Sequence, residues 1–303
     1  MATILAFGAG GQLGQELAAA AAGHRVSIRM VGRAEADIAD ANAVARAISS
    51  SAAALVVNAA AYTKVDRAES EPDAAMRANA VGPGIIAAAC AAAKIPLLHV
   101  STDYVFDGTK PTAYIEDDPI APLGVYGRSK AEGEAAVRRL LRHHVILRTS
   151  WVYGVYGQNF LKSILRLAGE RDELRIVADQ RGCPTGTADI AEAILSIAPS
   201  LERGAPVWGT YHFAGQGATT WHGFASEIVD AQAAFTNRRP AIVPISTAEY
   251  PTAARRPANS ELDSSRFAAM FGIRAMAWRE RTRQVIAALL ARRSVERGLG
   301  ERA

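Results

Sequence analysis

The chain has 303 residues, half of them hydrophobic, enough to bury the core of one large domain or of a large and a small one. Its net charge of +4 comes from 34 basic against 30 acidic residues spread along the sequence, without the Lys/Arg runs of a nucleic-acid footprint. Two cysteines, Cys90 and Cys183, form no CxxC pair, which excludes a zinc site or dithiol motif and leaves structural or incidental thiols.

"MATILAFGAG" carries no basic leader, and no apolar run reaches the roughly 18 residues that span a bilayer. The expectation is a soluble, cytoplasmic protein with neither a membrane nor a nucleic-acid partner.

In chain order, "TILAFG" reads as a buried strand that ends in "GAGGQLG" and opens the helix "QLGQELAAAAA". Gly8, Gly11 and Gly14 form a GxxGxxG turn, which lets backbone N–H groups approach a pyrophosphate at the positive end of the helix. The bland alternative is a strand-to-helix turn that needs positive φ. The second strand, "VSIRMV", ends in "VGRAEAD", where Arg33 offers a cation for a 2′-phosphate instead of an acid for a free ribose hydroxyl. That favours NADPH, with NADH possible. A solvated surface arginine is the alternative.

The helix "ANAVARAISS", the strand "ALVVNA" and the helix "VGPGIIAAACAAAK" follow, then "PLLHVS", whose end presents Ser101, Thr102 and Asp103. After them come the helix "YGRSKAEGEAAVRRLLR" and the strand "VILRTS". This alternation predicts an α/β fold, a Rossmann-like doubly wound parallel sheet, because parallel neighbours need crossover helices. Past residue 150 the rhythm loosens into "NFLKSILRLAGE", "LRIVAD", glycine and proline loops and "WHGFASEIVDAQAAF". We expect a dinucleotide-binding domain over 1–150 and a smaller, discontinuous C-terminal substrate domain over 151–303, with segments after about 171 returning to the first. The tail "RRSVERGLGERA" reads as polar and frayed.

Tyr126 and Lys130 lie one helical turn apart, so an ammonium can sit near the phenol and stabilise its anion. Moving a tyrosine from about pKa 10 to near 7 takes roughly 4 kcal/mol. A YxxxK arises by chance in roughly one such chain in eight, so context decides. The context is a strand tip bearing Thr102, where open α/β sheets collect ligands. HExxH, GxSxG and GxxxxGK[ST] patterns are absent.

The glycine loop, "NAAA" after the third strand, the threonine-tipped fourth strand and "YGRSK" together resemble the extended short-chain dehydrogenase/reductase family. "VVNAAAYTKVDRAE", "STDYVFDG", "RTSWVYG", "DQRGCPTG", "YHFAGQG" and "EYPTAARRPANSELD" look like one branch of it that reduces a nucleotide-linked sugar, over about residues 3 to 290. The resemblance implies that Tyr126 donates a proton to the C4 ketone of that sugar while NADPH gives a hydride. It also implies that Lys130 holds the nicotinamide ribose and lowers the Tyr126 pKa, and that Thr102 positions the ketone.

Gln12, Leu13, Asp37, Ile38 and Ala59, Ala60 and Ala61 join the cofactor-binding candidates. Val65, Asp103 and Trp151 are the substrate candidates, Trp151 as a platform for the sugar ring or else a core aromatic. Asn159, Arg181 and Arg255 are candidates for the nucleotide diphosphate, against the reading of ordinary surface residues. Glu16 matches a position used in metal-bridged dimers of some members, but without convincing partner ligands no required metal is expected. The oligomer is a monomer or a homodimer. Rival readings are a dehydratase or epimerase, reduced in weight because Tyr104 and not a second acid follows Asp103, and a non-catalytic NADP-binding subunit.

Overall fold

The computed structural model describes residues 2–24 and 26–300. Six strands build one sheet: β1 (Ala2–Phe7), β2 (Val26–Val31), β3 (Leu55–Asn58), β4 (Leu97–Thr102), β5 (His144–Thr149) and β6 (Gly209–His212). They lie in the order β2-β1-β3-β4-β5-β6, and every neighbouring pair is parallel. The strand order reverses between β1 and β3, so the crevice beyond their carboxyl ends is the switch point where such sheets bind ligands.

The longer helices are α1 (Gln12–Ala20), α2 (Ala41–Ser49), α3 (Gly82–Ala93), α4 (Val125–Leu140), α5 (Phe160–Glu170), α6 (Thr187–Glu202), α7 (Trp221–Thr236) and α8 (Trp278–Gly300). Strand side chains alternate between the two faces. Ile4 and Ala6 of β1 pack with Leu17 of α1 and Ile194 of α6, whereas Leu5 and Phe7 pack with Val44 of α2, Ile86 of α3 and Val137 of α4. Each fully buried Leu, Ile, Val or Phe side chain among them contributes roughly 1.5–3 kcal/mol of transfer free energy.

Local chemistry sets the helix starts. Asp40 accepts from the N–H groups of Asn42 and Ala43 at 2.9 and 3.0 Å, and Asn159 caps α5 by accepting from Lys162 at 3.0 Å. A third core joins α5, α7 and α8 to a parallel pair of strands, Glu173–Val177 and Ala241–Ile245. Leu161, Ile164, Phe224, Ile228 and Ile286 fill it. The side chains of both cysteines are buried, and burial pushes both thiols up to about 12.

The structure adds to the expectations at three points. By mean composition an 18-residue window within the helical run Pro72–Ala93 is apolar enough to cross a membrane, although Arg77 and Asn79 interrupt it and no unbroken apolar run of that length occurs there. Half of that window is buried, as in a core helix, with Ile86, Ala87 and Cys90 against the sheet. The tail expected to fray continues as helix α8 to Gly300, and residues 301–303 lie outside the described residues. Finally, α6 and β6, which the sequence reading did not recognise, complete the sheet layer beside α1 and β5.

Candidate active site

The carboxyl ends of the strands open into a cleft of about 2110 Å³. That is roughly twice the upper range of a pocket for one drug-sized ligand, so it has room for two.

At one end lies the glycine turn. Gly8 has a φ of +103°, and a Cβ there would meet the Ala59 carbonyl carbon at 2.7 Å. A Cβ on Gly14 would sit 2.1 Å from the Gly8 oxygen, so only glycine lets α1 pack this close to β1. The Gly11 N–H donates to the Gly8 carbonyl at 2.9 Å, and no side chain caps α1. Its first N–H groups therefore lack intrahelical partners and, with Gln12 and Leu13, border the cleft. This cradle fits a dinucleotide pyrophosphate.

Arg33, Asp37 and Ile38 line the same end, as do Ala59, Ala60 and Ala61. Arg33 lies 3.4 Å and Arg77 3.7 Å from the Asp37 carboxylate. The Ala39 N–H donates to that carboxylate, and this bond with the two arginines outweighs burial and holds it below the usual range.

At the centre, β4 delivers Thr102 and Asp103, and the first two turns of α4 deliver Tyr126 and Lys130. The Thr102 hydroxyl donates to Asp103 Oδ1 at 3.0 Å and accepts from the Tyr104 N–H at 3.3 Å. Asp103 Oδ2 is buried without a hydrogen-bond partner, and burial pushes this carboxyl up to about 6. Tyr104 packs edge-on against Tyr126 with ring centroids 5.4 Å apart.

Burial pushes the Tyr126 phenol up to about 12, while the Thr102 hydroxyl pulls the other way. The Lys130 Nζ donates to the Val100 carbonyl at 2.7 Å, and burial is the dominant influence on both groups.

On the far side stand Val65 and Trp151, both lining the cleft. Trp151 adopts a φ of +46°, rare for a bulky residue, and its indole stacks on Trp221 with centroids 3.5 Å apart. A Cβ on Gly182 would lie 2.5 Å from Trp151 Cε2, so the ring is wedged between Trp221 and that glycine. It presents an edge more than an open face. Asn159 borders the cleft, but its amide is spent on capping α5 and on donating to Gln12 Oε1 at 3.0 Å.

Arg181 and Arg255 are not brought into the cleft. Arg181 pairs with Glu261 at 2.7 Å, and Arg255 is exposed outside the lining. The next residue, Arg256, borders the cleft and forks onto Asp66 at 3.0 and 2.7 Å. Two adjacent arginines are indistinguishable in sequence, and only the loop's path selects between them. Glu16 accepts from Thr187 Oγ1 at 2.6 Å, and no group of three His, Cys, Asp or Glu able to hold a metal occurs among the described residues.

Asn79 is a residue that sequence reasoning missed. It sits in a π-helical turn, Arg77–Val81, and donates to the Tyr62 carbonyl at 2.9 Å and to Ser129 Oγ at 3.0 Å. It thus ties the loop after β3 to the neighbour of Lys130. An asparagine inside an alanine-rich helix is a poor helix former, and that was the available signal.

Residues 1–291 match the family described as RmlD substrate binding domain. A dTDP-4-dehydrorhamnose reductase of Sinorhizobium fredii is 47% identical, over 88% of this chain and 90% of its own. One from Aggregatibacter actinomycetemcomitans is 44% identical over 94% and 98%. The crystal structure of a dTDP-4-dehydrorhamnose reductase from Bacillus anthracis in complex with NADP matches with a TM-score of 0.88 at 34% identity, covering 95% of this chain and 100% of that one.

Proposed function

The chain belongs to the dTDP-4-dehydrorhamnose reductase family, and we propose that it reduces the C4 ketone of dTDP-4-dehydro-L-rhamnose to give dTDP-L-rhamnose with NADPH. The observation that carries this reading is the convergence of Thr102, Tyr126 and Lys130 beside the glycine turn in one cleft. Bound NADPH, or less favourably NADH, supplies the hydride.

The backbone from Gly8 to Gly14 and the start of α1 hold the pyrophosphate, and Arg33 reaches the 2′-phosphate. Asp37, Ile38 and Ala59, Ala60 and Ala61 line the path of the cofactor. Lys130 holds the nicotinamide ribose. Tyr126 gives its phenolic proton to the ketone oxygen as negative charge develops there. A phenol pushed up to about 12 still carries its proton at neutral pH, which suits a donor in the reductive direction. Thr102 orients the ketone, and the Lys130 ammonium stabilises the phenolate left behind.

The sheet and its helices serve the cofactor, and the core of α5, α7 and α8 serves the sugar nucleotide, with Val65, Asp103 and Trp151 at the boundary. Arg256, which borders the cleft where Arg181 and Arg255 do not, offers a guanidinium for the diphosphate. The enzyme is cytoplasmic, without membrane or nucleic-acid partners. Neither a dehydratase nor a non-catalytic subunit is favoured, because relatives spanning nearly the whole chain are named reductases.

The test is loss of NADPH absorbance with dTDP-4-dehydro-L-rhamnose, with dTDP-glucose and NADH in parallel. Oxidation that depends on the ketosugar is expected. No oxidation by protein that binds NADPH would sink the reading.

A further inference from the structure

A buried carboxylate lies one turn beyond Lys130, and the reaction as described leaves it without a task. Four-residue spacing sets Tyr126, Lys130, Glu134 and Arg138 along one face of α4. Glu134 is 0% exposed and Lys130 2%. From β5, Arg148 donates its Nε to Glu134 Oε1 at 2.9 Å and a terminal nitrogen to Oε2 at 2.7 Å. Arg138 adds a bond to Oε2 at 2.8 Å. A well-packed apolar pair of similar volume would often serve the fold as well as a buried ion pair. Its place one helical turn from the catalytic lysine, on the same face of α4, calls for a chemical reason.

We propose that Glu134 is a positioning residue for the reduction: its carboxylate is the countercharge that keeps the buried Lys130 an ammonium, and the Arg148 fork fixes that carboxylate in place. This rests on the reductase reading. Burial pulls the Lys130 amine down to about 8, and Glu134 pushes it back up.

The groups around Lys130 leave that role to Glu134. On β4, the Val100 carbonyl accepts from Nζ at 2.7 Å, and His99 is neutral because burial and the nearby cations hold it well below 6.5. Tyr126, on the same helix, keeps its proton, and Arg148, on β5, is committed to Glu134. Asp103, at the tip of β4, is engaged with Thr102. Without Glu134 the amine loses its proton at a lower pH, and the phenolate left after proton donation loses its neighbouring cation.

The experiment is the pH profile of kcat/KM for the ketosugar at saturating NADPH, over pH 6 to 10, for wild type, Glu134→Gln and Glu134→Asp. The alkaline limb is expected to move down by about one pH unit in Glu134→Gln and to return to the wild-type position in Glu134→Asp. If Glu134→Gln fails to fold because Arg148 is left unpaired, the double variant Glu134→Gln/Arg148→Met removes both charges and is expected to show a smaller shift in the same downward direction, because the departing cation partly offsets the loss of the anion.

Wild-type protein without turnover would count against the reductase reading and not against this one. In that case trace acetylation of Lys130 against pH, read by mass spectrometry, reports the same titration and the same displacement. A folded variant lacking the Glu134 charge whose limb or acetylation midpoint coincides with wild type, even with a uniformly lower rate, overturns the proposal.

Discussion

At the residue scale the site turns on where two side chains of α4 point. The spacing of Tyr126 and Lys130 was legible in the sequence, but the state of the phenol was not. Spacing fixes a shared helix face, whereas pKa depends on burial that only the packed fold reveals. The result is a phenol held protonated, pushed up to about 12, beside an amine anchored on the Val100 carbonyl. Tyr126→Phe is expected to lower kcat by about 10²–10⁴-fold, the usual share of a general acid, while the NADPH Kd stays within about twofold. Stopped-flow turnover and a fluorescence titration of NADPH check both halves. Arg33→Ala is expected to reduce the preference for NADPH over NADH several-fold without changing turnover at saturating NADH. The ratio of kcat/KM for the two cofactors measures it.

The same limit explains the arginines. Arg181 and Arg255 have the right chemistry for a diphosphate, yet one is drawn to Glu261 and the other is exposed outside the cleft lining. Trp151 was legible as an aromatic beside the ligand edge. Its stacking partner Trp221, 70 residues away in sequence, was not.

At the scale of elements, the glycine turn was the most readable feature because its geometry is local. A Cβ on Gly14 would lie 2.1 Å from the Gly8 oxygen, so Gly14→Ala forces α1 away from β1. Overpacking of this kind costs about 1–3 kcal/mol and displaces the N–H groups that face the pyrophosphate. The expected result is a lower thermal midpoint together with at least tenfold weaker NADPH binding, read by a thermal melt and a binding titration. The five strands that alternate with alanine-rich helices were also readable. The elements missed were the ones that break the simple patterns. α6 follows a glycine and proline loop and contains Pro199, β6 has only four residues, and the last residues of α8 read as a polar tail. In α8, Val285 and Ile286 supply the apolar contact that holds the helix against the third core.

At the scale of the whole molecule, buried histidines tie stability to pH. His212 Nε2 faces an Arg148 guanidinium nitrogen at 3.3 Å, and burial holds its pKa down to about 3. A histidine kept neutral in the folded state supports stability above the unfolded value of 6.5 and withdraws that support as pH falls toward 3. Between pH 7.5 and 5.0 the loss from His212 is roughly 2 kcal/mol, and His99 adds to it in the same direction. Asp103, pushed up to about 6, works the other way and returns about 1 kcal/mol over that interval. Urea midpoints are therefore expected to be lower at pH 5.0 than at 7.5. Equal midpoints would mean that these histidines are not held neutral.

The central claim is that the cleft delivers a hydride to C4 of the sugar. Its most direct measurement is a reaction with NADPH deuterated at the transferring position of the nicotinamide, followed by NMR of the sugar product. Deuterium at C4 of dTDP-L-rhamnose is the result expected. Deuterium at another carbon, or product formed without deuterium, would contradict the account.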